Sequence, residues 1–273
     1  MKVWFITGAS GGFGLEWATA ALERGDRVVA TARTVAKLEH LVEQFGDSVL
    51  VLPLDVTDRP AVFEAVARAH AHFGRLDVVI SNAGYGQFGL IEEATEQQVR
   101  DQYETNVFGT IWVIQAVLPF LREQRSGHIL LLSSIGGITT FPMVSIYNSS
   151  KWAVEGIGQA LAQQVGDFGI KVTILEPEGY STEFSGTSAH FTESHPAYDE
   201  FRAKAFAALQ GGESGDPKAT RGPLLELVDD EQPPLRQFFG KTPLDVATAD
   251  YESRLAEWRA GQDRAVRAFG VDS

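Results

Sequence analysis

The sequence predicts an α/β fold, a doubly wound parallel sheet in a single domain, on three observations. Short apolar runs alternate with amphipathic stretches through the first two-thirds of the chain. The runs are almost continuously apolar, which marks strands covered on both faces. The first run ends in Thr7-Gly8-Ala9-Ser10-Gly11-Gly12-Phe13-Gly14, a glycine-rich turn that opens a helix. Right-handed crossovers between such strands wind a sheet outward in both directions.

The elements follow in order. Val3 to Thr7 reads as a strand and Phe13 to Arg24 as a helix, with Gly25 as its stop. Arg27 to Thr31, Val49 to Leu52 and Asp77 to Ile80 are the next strands. Helices fall at Val35 to Phe45 and at Arg59 to Phe73, the latter with Asp58 as N-cap and Pro60 in the first turn. The chain from Glu96 to Leu121 is mostly helical, with Pro119 near its end. Ile129 to Leu132 is a strand, Ile146 to Phe168 a helix and Ile170 to Leu175 a strand. Past Glu183 the character changes. Ser185 to His195 reads as a loop, Ala197 to Leu209 as a helix and Gly211 to Asp216 as a flexible link. Leu235 to Phe239 reads as a last strand and Val246 to Ala260 as a last helix. These pieces are too small for a core of their own. The expectation is one domain over 1–273, with 184–234 as a substrate lid and 235–273 completing the sheet and covering its C-terminal edge.

Composition narrows the chemistry. The 273 residues hold 36 acidic and 23 basic side chains, a net charge of −13. That speaks against nucleic acid or an anionic membrane surface as main partner, since both demand basic patches. The absence of cysteine rules out disulfides, a thiol nucleophile and Cys-ligated metal, and fits a reducing cytoplasm. His190 and His195 are not spaced as metal ligands, and no metal is expected. Two stretches without charge, Val3 to Ile6 and Ile129 to Ser150, fail as membrane spans. The first is too short, and Ser, Thr, Gly, Pro and Asn dilute the second below the roughly 20 mostly apolar residues a span needs. The second reads as a buried strand followed by a polar loop, a place for an active site.

Three motifs carry the chemistry. The glycines at 8, 11, 12 and 14, with Ser10 and Phe13 among them, let backbone N–H groups approach a pyrophosphate at a helix N-terminus. The second strand ends in Thr31-Ala32-Arg33-Thr34, with no acid. An acid there binds ribose hydroxyls, whereas an arginine accommodates a 2′-phosphate, so Arg33 points to NADP(H) over NAD(H). Tyr147 and Lys151 are four apart, one turn along a helix face, and Ser134 lies upstream. An ammonium beside a phenol favours the phenolate, so Lys151 is expected to lower the Tyr147 pKa; the Ser hydroxyl holds the substrate oxygen.

On these residues the chain, from Met1 to Thr182, resembles the short-chain dehydrogenase/reductases. Thr7 to Gly14 matches the family's TGxxxGxG loop. The resemblance implies further roles. Asp55-Val56 would contact the adenine amino group. Asn82, Ala83 and Gly84, after Ser81, match the NNAG motif. Asn106 would hold a water in the proton relay, and Ser134, Tyr147 and Lys151 complete the catalytic tetrad. Lys151 would also bind the nicotinamide ribose. Pro177, Gly179 and Thr182 would lie at the nicotinamide. One departure stands in this last motif: Glu178 replaces the expected Gly, and is expected to point to solvent rather than crowd the cofactor. The resemblance also implies a homo-oligomer, a dimer or tetramer, with the helices around Trp112 and Trp152 at the interface. Phe184 to Tyr198 would form the lid over an apolar pocket that includes Phe141, Met143, Phe184, His190 and Phe191.

The reading is an NADP(H)-preferring oxidoreductase acting on a moderately apolar ketone or aldehyde and its alcohol. A non-catalytic NADP(H)-binding sensor or scaffold is the alternative, favoured only by Glu178. A sugar-nucleotide epimerase shares YxxxK but wants a longer chain and a differently spaced glycine loop.

Overall fold

Seven parallel strands form the centre of a computed structural model that describes residues 1–182, 184, 186, 189–209 and 213–270. In chain order the elements are β1 (Val3–Ile6), α1 (Gly12–Glu23), β2 (Arg27–Ala32), α2 (Glu39–Phe45), β3 (Val49–Pro53), α3 (Arg59–Phe73) and β4 (Val78–Ser81). There follow β5 (Gly86–Phe88), α4 (Glu96–Tyr103), α5 (Gly109–Gln124), β6 (Gly127–Leu132), α6 (Ser145–Val165) and β7 (Ile170–Pro177). The chain closes with β8 (Ala189–Phe191), α7 (Asp199–Leu209), α8 (Arg221–Asp229), β9 (Arg236–Phe239) and α9 (Pro243–Ala268). The sheet order is β3-β2-β1-β4-β6-β7-β9. It reverses direction between β1 and β4, and in such sheets ligands bind beyond the carboxyl ends of the strands at that reversal.

Alternation along β1 builds the two cores. Val3 and Phe5 face one helical layer with Val66, Val113, Val117 and Leu161. Trp4 and Ile6 face the other with Trp17, Leu22, Leu41 and Leu224. Both buried indoles keep a partner for the N–H, as burial demands. Trp4 donates to Asp26 at 2.9 Å and Trp17 to Thr220 at 2.8 Å. The Trp17 bond pins α1 to the turn before α8, so part of the chain past 183 belongs to the main core. Asp58 caps α3, accepting from Ala61 N at 3.0 Å, as its position predicts.

Four features differ from the sequence expectation. Ser185 to His195 contains β8, which pairs in parallel with β5 in a separate two-stranded sheet; residues 185, 187 and 188 lie outside the described residues. Strands of three residues carry too little periodicity to be seen locally. The helix α8 was not anticipated, and α9 runs to 26 residues. The helical run from Glu96 is broken by a π turn, Glu104–Phe108. By length and composition Glu96–Gln124 could cross a membrane, but half of its apolar window is buried inside this domain.

Candidate functional site

The loop from β1 to α1 has the backbone its glycines permit. Gly8 and Gly12 sit at φ 67° and 52°, where other residues are strained. Gly14 serves a different need, since a Cβ there would lie 2.5 Å from the Gly8 carbonyl oxygen. Gly11 is the N-cap and offers no side chain, so the first N–H groups of α1 keep their donors for a ligand. Asn82, just past β4, ties the loop down by donating from Nδ2 to the carbonyls of Thr7 (2.8 Å) and Gly8 (3.0 Å). The Thr7 hydroxyl in turn accepts from the N–H groups of Asn82 and Ala83.

A cavity of about 1070 Å³ opens at these strand ends. Every site residue expected from the sequence lines it except Gly14 and Asn106. At one end lie Gly8, Ser10, Gly11, Gly12, Phe13, Arg33, Asp55 and Val56. Arg33 is exposed and makes no salt bridge among the described residues. The Asp55 carboxylate is occupied by its own turn, accepting from Thr57 N at 3.0 Å and Thr57 Oγ1 at 2.8 Å. Asn82, Ala83, Gly84, Pro177, Gly179 and Thr182 line the middle. A Cβ on Gly12 would meet Thr182 at 3.3 Å, so the glycine loop and the Thr182 segment close on one another.

Ser134, Tyr147 and Lys151 converge on the wall. Tyr147 and Lys151 share one buried face of α6. The Lys151 Nζ donates to the Leu132 carbonyl at 2.7 Å, at the end of β6, and lies 5.7 Å from the Tyr147 ring centre. Ser134 Oγ accepts from Gly136 N at 3.0 Å. Burial pushes the Tyr147 phenol up to about 12, and the Ser134 hydroxyl pulls against that rise. Burial brings Lys151 down to about 8, opposed by Glu155. In the protein alone the phenol therefore stands above its ordinary value, where the sequence expectation put it below. Burial of the phenolate is the main cause, and the Lys151 ammonium points its proton at a carbonyl instead.

Asn106 stands behind the cavity in the π turn, a deformation that recurs at functional sites. Its Oδ1 accepts from Tyr85 N (3.2 Å), and its Nδ2 donates to Tyr85 O and Ser150 Oγ, both at 3.1 Å. It joins the Gly84–Tyr85 wall to α6.

Glu178 lines the cavity, but its carboxylate turns to the start of α9 rather than to open solvent. It accepts from Lys241 N (2.7 Å), Thr242 N (3.2 Å) and Thr242 Oγ1 (2.6 Å). These hydrogen bonds hold its pKa below the ordinary carboxylate range despite partial burial. Glu178 thus stabilises the N-terminus of the last helix. Glu178→Gly is expected to lower stability by about 1 kcal/mol, the usual net worth of an intramolecular hydrogen bond lost. Thermal melts read this directly, and NADPH affinity should stay unchanged; a changed affinity with an unchanged melt would place the charge at the cofactor instead.

The segment expected to form the lid is fastened by a residue with no motif around it. An acidic run such as Glu92-Glu93 ordinarily marks a solvated face, yet the Glu93 side chain is fully buried. It accepts from Leu90 N (3.0 Å), His195 N (2.9 Å), Thr192 Oγ1 (3.0 Å) and Arg202 Nη1 (2.8 Å). These bonds overcome the cost of burial and hold its carboxyl down at about 2. No local signal reveals the role, because Arg202 lies 109 residues away. Beneath the lid Phe88, Phe141, Met143, Phe184 and Phe191 line the cavity beside Tyr147. Phe184 packs 4.9 Å from the Tyr147 ring and 5.6 Å from Phe88. Trp112 and Trp152, expected near an interface, both have partners within the chain: Arg59 lies over the first and Arg254 over the second.

Fold and site together describe a dinucleotide-binding oxidoreductase. Residues 2–192 match the family model described as short chain dehydrogenase. The chain is 40% identical over 276 residues to "Oxidoreductase BOA17" of Botryotinia fuckeliana, covering 100% of this chain and 99% of that one. The crystal structure of a short-chain dehydrogenase from Streptomyces avermitilis superposes with TM-score 0.91 at 38% identity, covering 98% of this chain and 100% of that one. A structure titled "ElxO with NADP Bound" superposes with TM-score 0.77 at 26% identity, covering 89% of this chain and 99% of that one. The chain belongs to the short-chain dehydrogenase/reductase family. It is an NAD(P)-dependent oxidoreductase. The residues present fit the dinucleotide. The uncapped α1 N-terminus would receive the pyrophosphate, and the cavity runs unbroken from Arg33 to Lys151 and Thr182.

Proposed function

We propose that the chain interconverts a moderately apolar ketone or aldehyde and its alcohol, with NADP(H) preferred. The observation that carries the reading is the convergence of the Tyr147 phenol and the Ser134 hydroxyl on the cavity wall, under an aromatic lid. The nicotinamide supplies or accepts a hydride when bound. Ser134 holds the substrate oxygen. Tyr147, protonated at neutral pH, donates its phenolic proton to that oxygen in the reducing direction and takes it back in the oxidising one. Lys151 stabilises the phenolate left behind and holds the ribose hydroxyls, while Asn106 keeps the wall opposite α6 in place. Phe88, Phe141, Phe184 and Phe191 exclude water and favour an apolar substituent on the carbonyl carbon. The sensor reading loses its support once Glu178 is assigned to α9.

The test is fluorescence titration with NADPH and NADH, then a ketone panel followed by NADPH absorbance. Binding with turnover supports the reading; binding with no turnover across the panel returns the chain to the sensor class. Arg33 carries the cofactor preference. A charge-assisted bond to the 2′-phosphate is worth roughly 1.5–3 kcal/mol, so Arg33→Ala should weaken NADPH binding by about tenfold or more and leave NADH unchanged. An unchanged ratio would sink the assignment. The proposed setting is the cytoplasm, with a homodimer or homotetramer as the working assembly. Light scattering tests the assembly.

A further inference from the structure

Behind Lys151 lies a group of buried charges that the proposed reaction does not use. Glu155 sits one turn further along the buried face of α6 and is 6% exposed. Glu176 ends β7 and is 0% exposed. Both reach the same atom, Arg236 Nε on β9, at 3.0 Å from Glu155 and 3.4 Å from Glu176. Arg236 spends its Nη2 on Gln159 at 2.8 Å. Among the described residues no donor hydrogen-bonds Glu155 Oε1 or either oxygen of Glu176. Ser133, beside Ser134, is buried on the same side. A Cβ on Gly137 would lie 2.6 Å from its Oγ and 3.1 Å from Glu155 Cγ. The charged groups facing the pair are Arg236 from β9 and Lys151 from α6. The turn at Ile135–Gly137 and the end of β6 contribute only uncharged groups.

Two buried carboxylates against one guanidinium cannot both stay ionised cheaply. Like charges a few ångströms apart in a poorly solvated site push one proton back on. Buried polar oxygens also require donors; a proton held between the carboxyls supplies one, and the Ser133 hydroxyl, which faces Glu155, can supply another. We propose that Glu155 and Glu176 share one proton at neutral pH and act as a positioning pair that holds the Lys151 ammonium and the Ser133–Ser134 turn in place. With one proton, the pair and Arg236 sum to zero charge, which suits a dry site. Burial pushes both carboxyls upward, Glu176 to about 8, and Glu155 in turn favours the charged form of Lys151. Neither glutamate lines the cavity, so the pair acts through Lys151 and the turn that carries Ser134. The role in turnover rests on the Tyr147–Lys151 reading above; the shared proton does not.

Carbon-13 NMR of the chain labelled at the glutamate carboxyl carbons tests the first point without cofactor. One buried carboxyl is expected to be protonated at pH 7. Its signal should vanish in both Glu155→Gln and Glu176→Gln, because each amide supplies the missing donor and leaves the other carboxyl ionised. Every glutamate ionised at pH 7 in the unsubstituted chain overturns the shared proton, and that measurement needs no variant to fold. The pH–rate profile tests the second point. In Glu155→Gln the pair's negative charge passes to Glu176 on β7, off the helix that carries Lys151, so the alkaline limb should begin up to about one pH unit lower, since a nearby opposite charge raises a lysine. The KM for the carbonyl should stay within about twofold, because Glu155 touches no substrate. A limb in the same place overturns the positioning role. Failure of the acid–base reading shows separately, as turnover that survives in Tyr147→Phe while the NMR signal persists.

Discussion

Tyr147→Phe is expected to lower kcat for carbonyl reduction by about 10³, within the usual contribution of a positioned acid. NADPH affinity should change by less than about twofold, because the phenol supplies a proton rather than a binding contact. The substitution keeps the ring and its packing against Phe184, so the fold survives. The pH dependence follows from the two shifts. The phenol titrates at about 12 and so keeps its proton across the physiological range, which favours reduction. Lys151, brought down to about 8, loses its charge first as pH rises, and the phenolate formed in turnover then has no counter-charge. The reduction rate should therefore hold through neutrality and fall above about pH 8. Steady-state kinetics of both proteins across pH reads all of this. A Phe variant within tenfold of the parent would remove Tyr147 from the chemistry.

Glu93→Ala is expected to free the lid. It leaves the Arg202 guanidinium and the N–H groups of Leu90 and His195 without their acceptor, and breaking a buried ion pair from one side costs about 3–5 kcal/mol. The loss is local, since every one of these partners lies on the lid or on the short turn beneath it. Hydrogen exchange across 189–202 should rise by about a hundredfold or more, with the central strands unchanged. The KM for an apolar ketone should rise with little change in NADPH affinity, because Arg33 and the glycine loop sit at the other end of the cavity. Unchanged exchange in that segment would show that packing of Phe88 on Phe191, not Glu93, holds the lid. The same group gives a pH signature. Its folded pKa of about 2 lies below that of an unfolded glutamate. Its stabilisation is therefore complete above the unfolded value near 4.3, and is lost as pH falls from there through about 2.

The candidate site was legible to the extent that its chemistry is local. The glycines of the β1–α1 turn, Arg33 after β2, and Tyr147 with Lys151 on one helical face announce themselves by spacing, and the structure sets all of them except Gly14 around one cavity. Their ionisation was not legible. The tyrosine lies above its ordinary value rather than below it because burial, which no spacing reveals, outweighs the Ser134 hydroxyl that opposes it. Glu178 shows the same limit. In sequence it is a charge where the family's motif has glycine, and only the arrival of Lys241 and Thr242, more than sixty residues later, makes it a clamp on the turn that leads into α9. The pairing of β5 with β8, and Glu93 with Arg202, joins segments about a hundred residues apart whose local patterns are too short to predict it.

By itself the sequence determined the doubly wound sheet, the glycine-rich loop and the residues of the candidate site, because hydrophobic period, glycine conformation and helical spacing act over a few residues. Tertiary structure alone decided which carboxylates are buried, which proton each group keeps and what fastens the lid. Those depend on desolvation and on partners brought together from distant strands, and a single buried charge takes its meaning from whatever faces it.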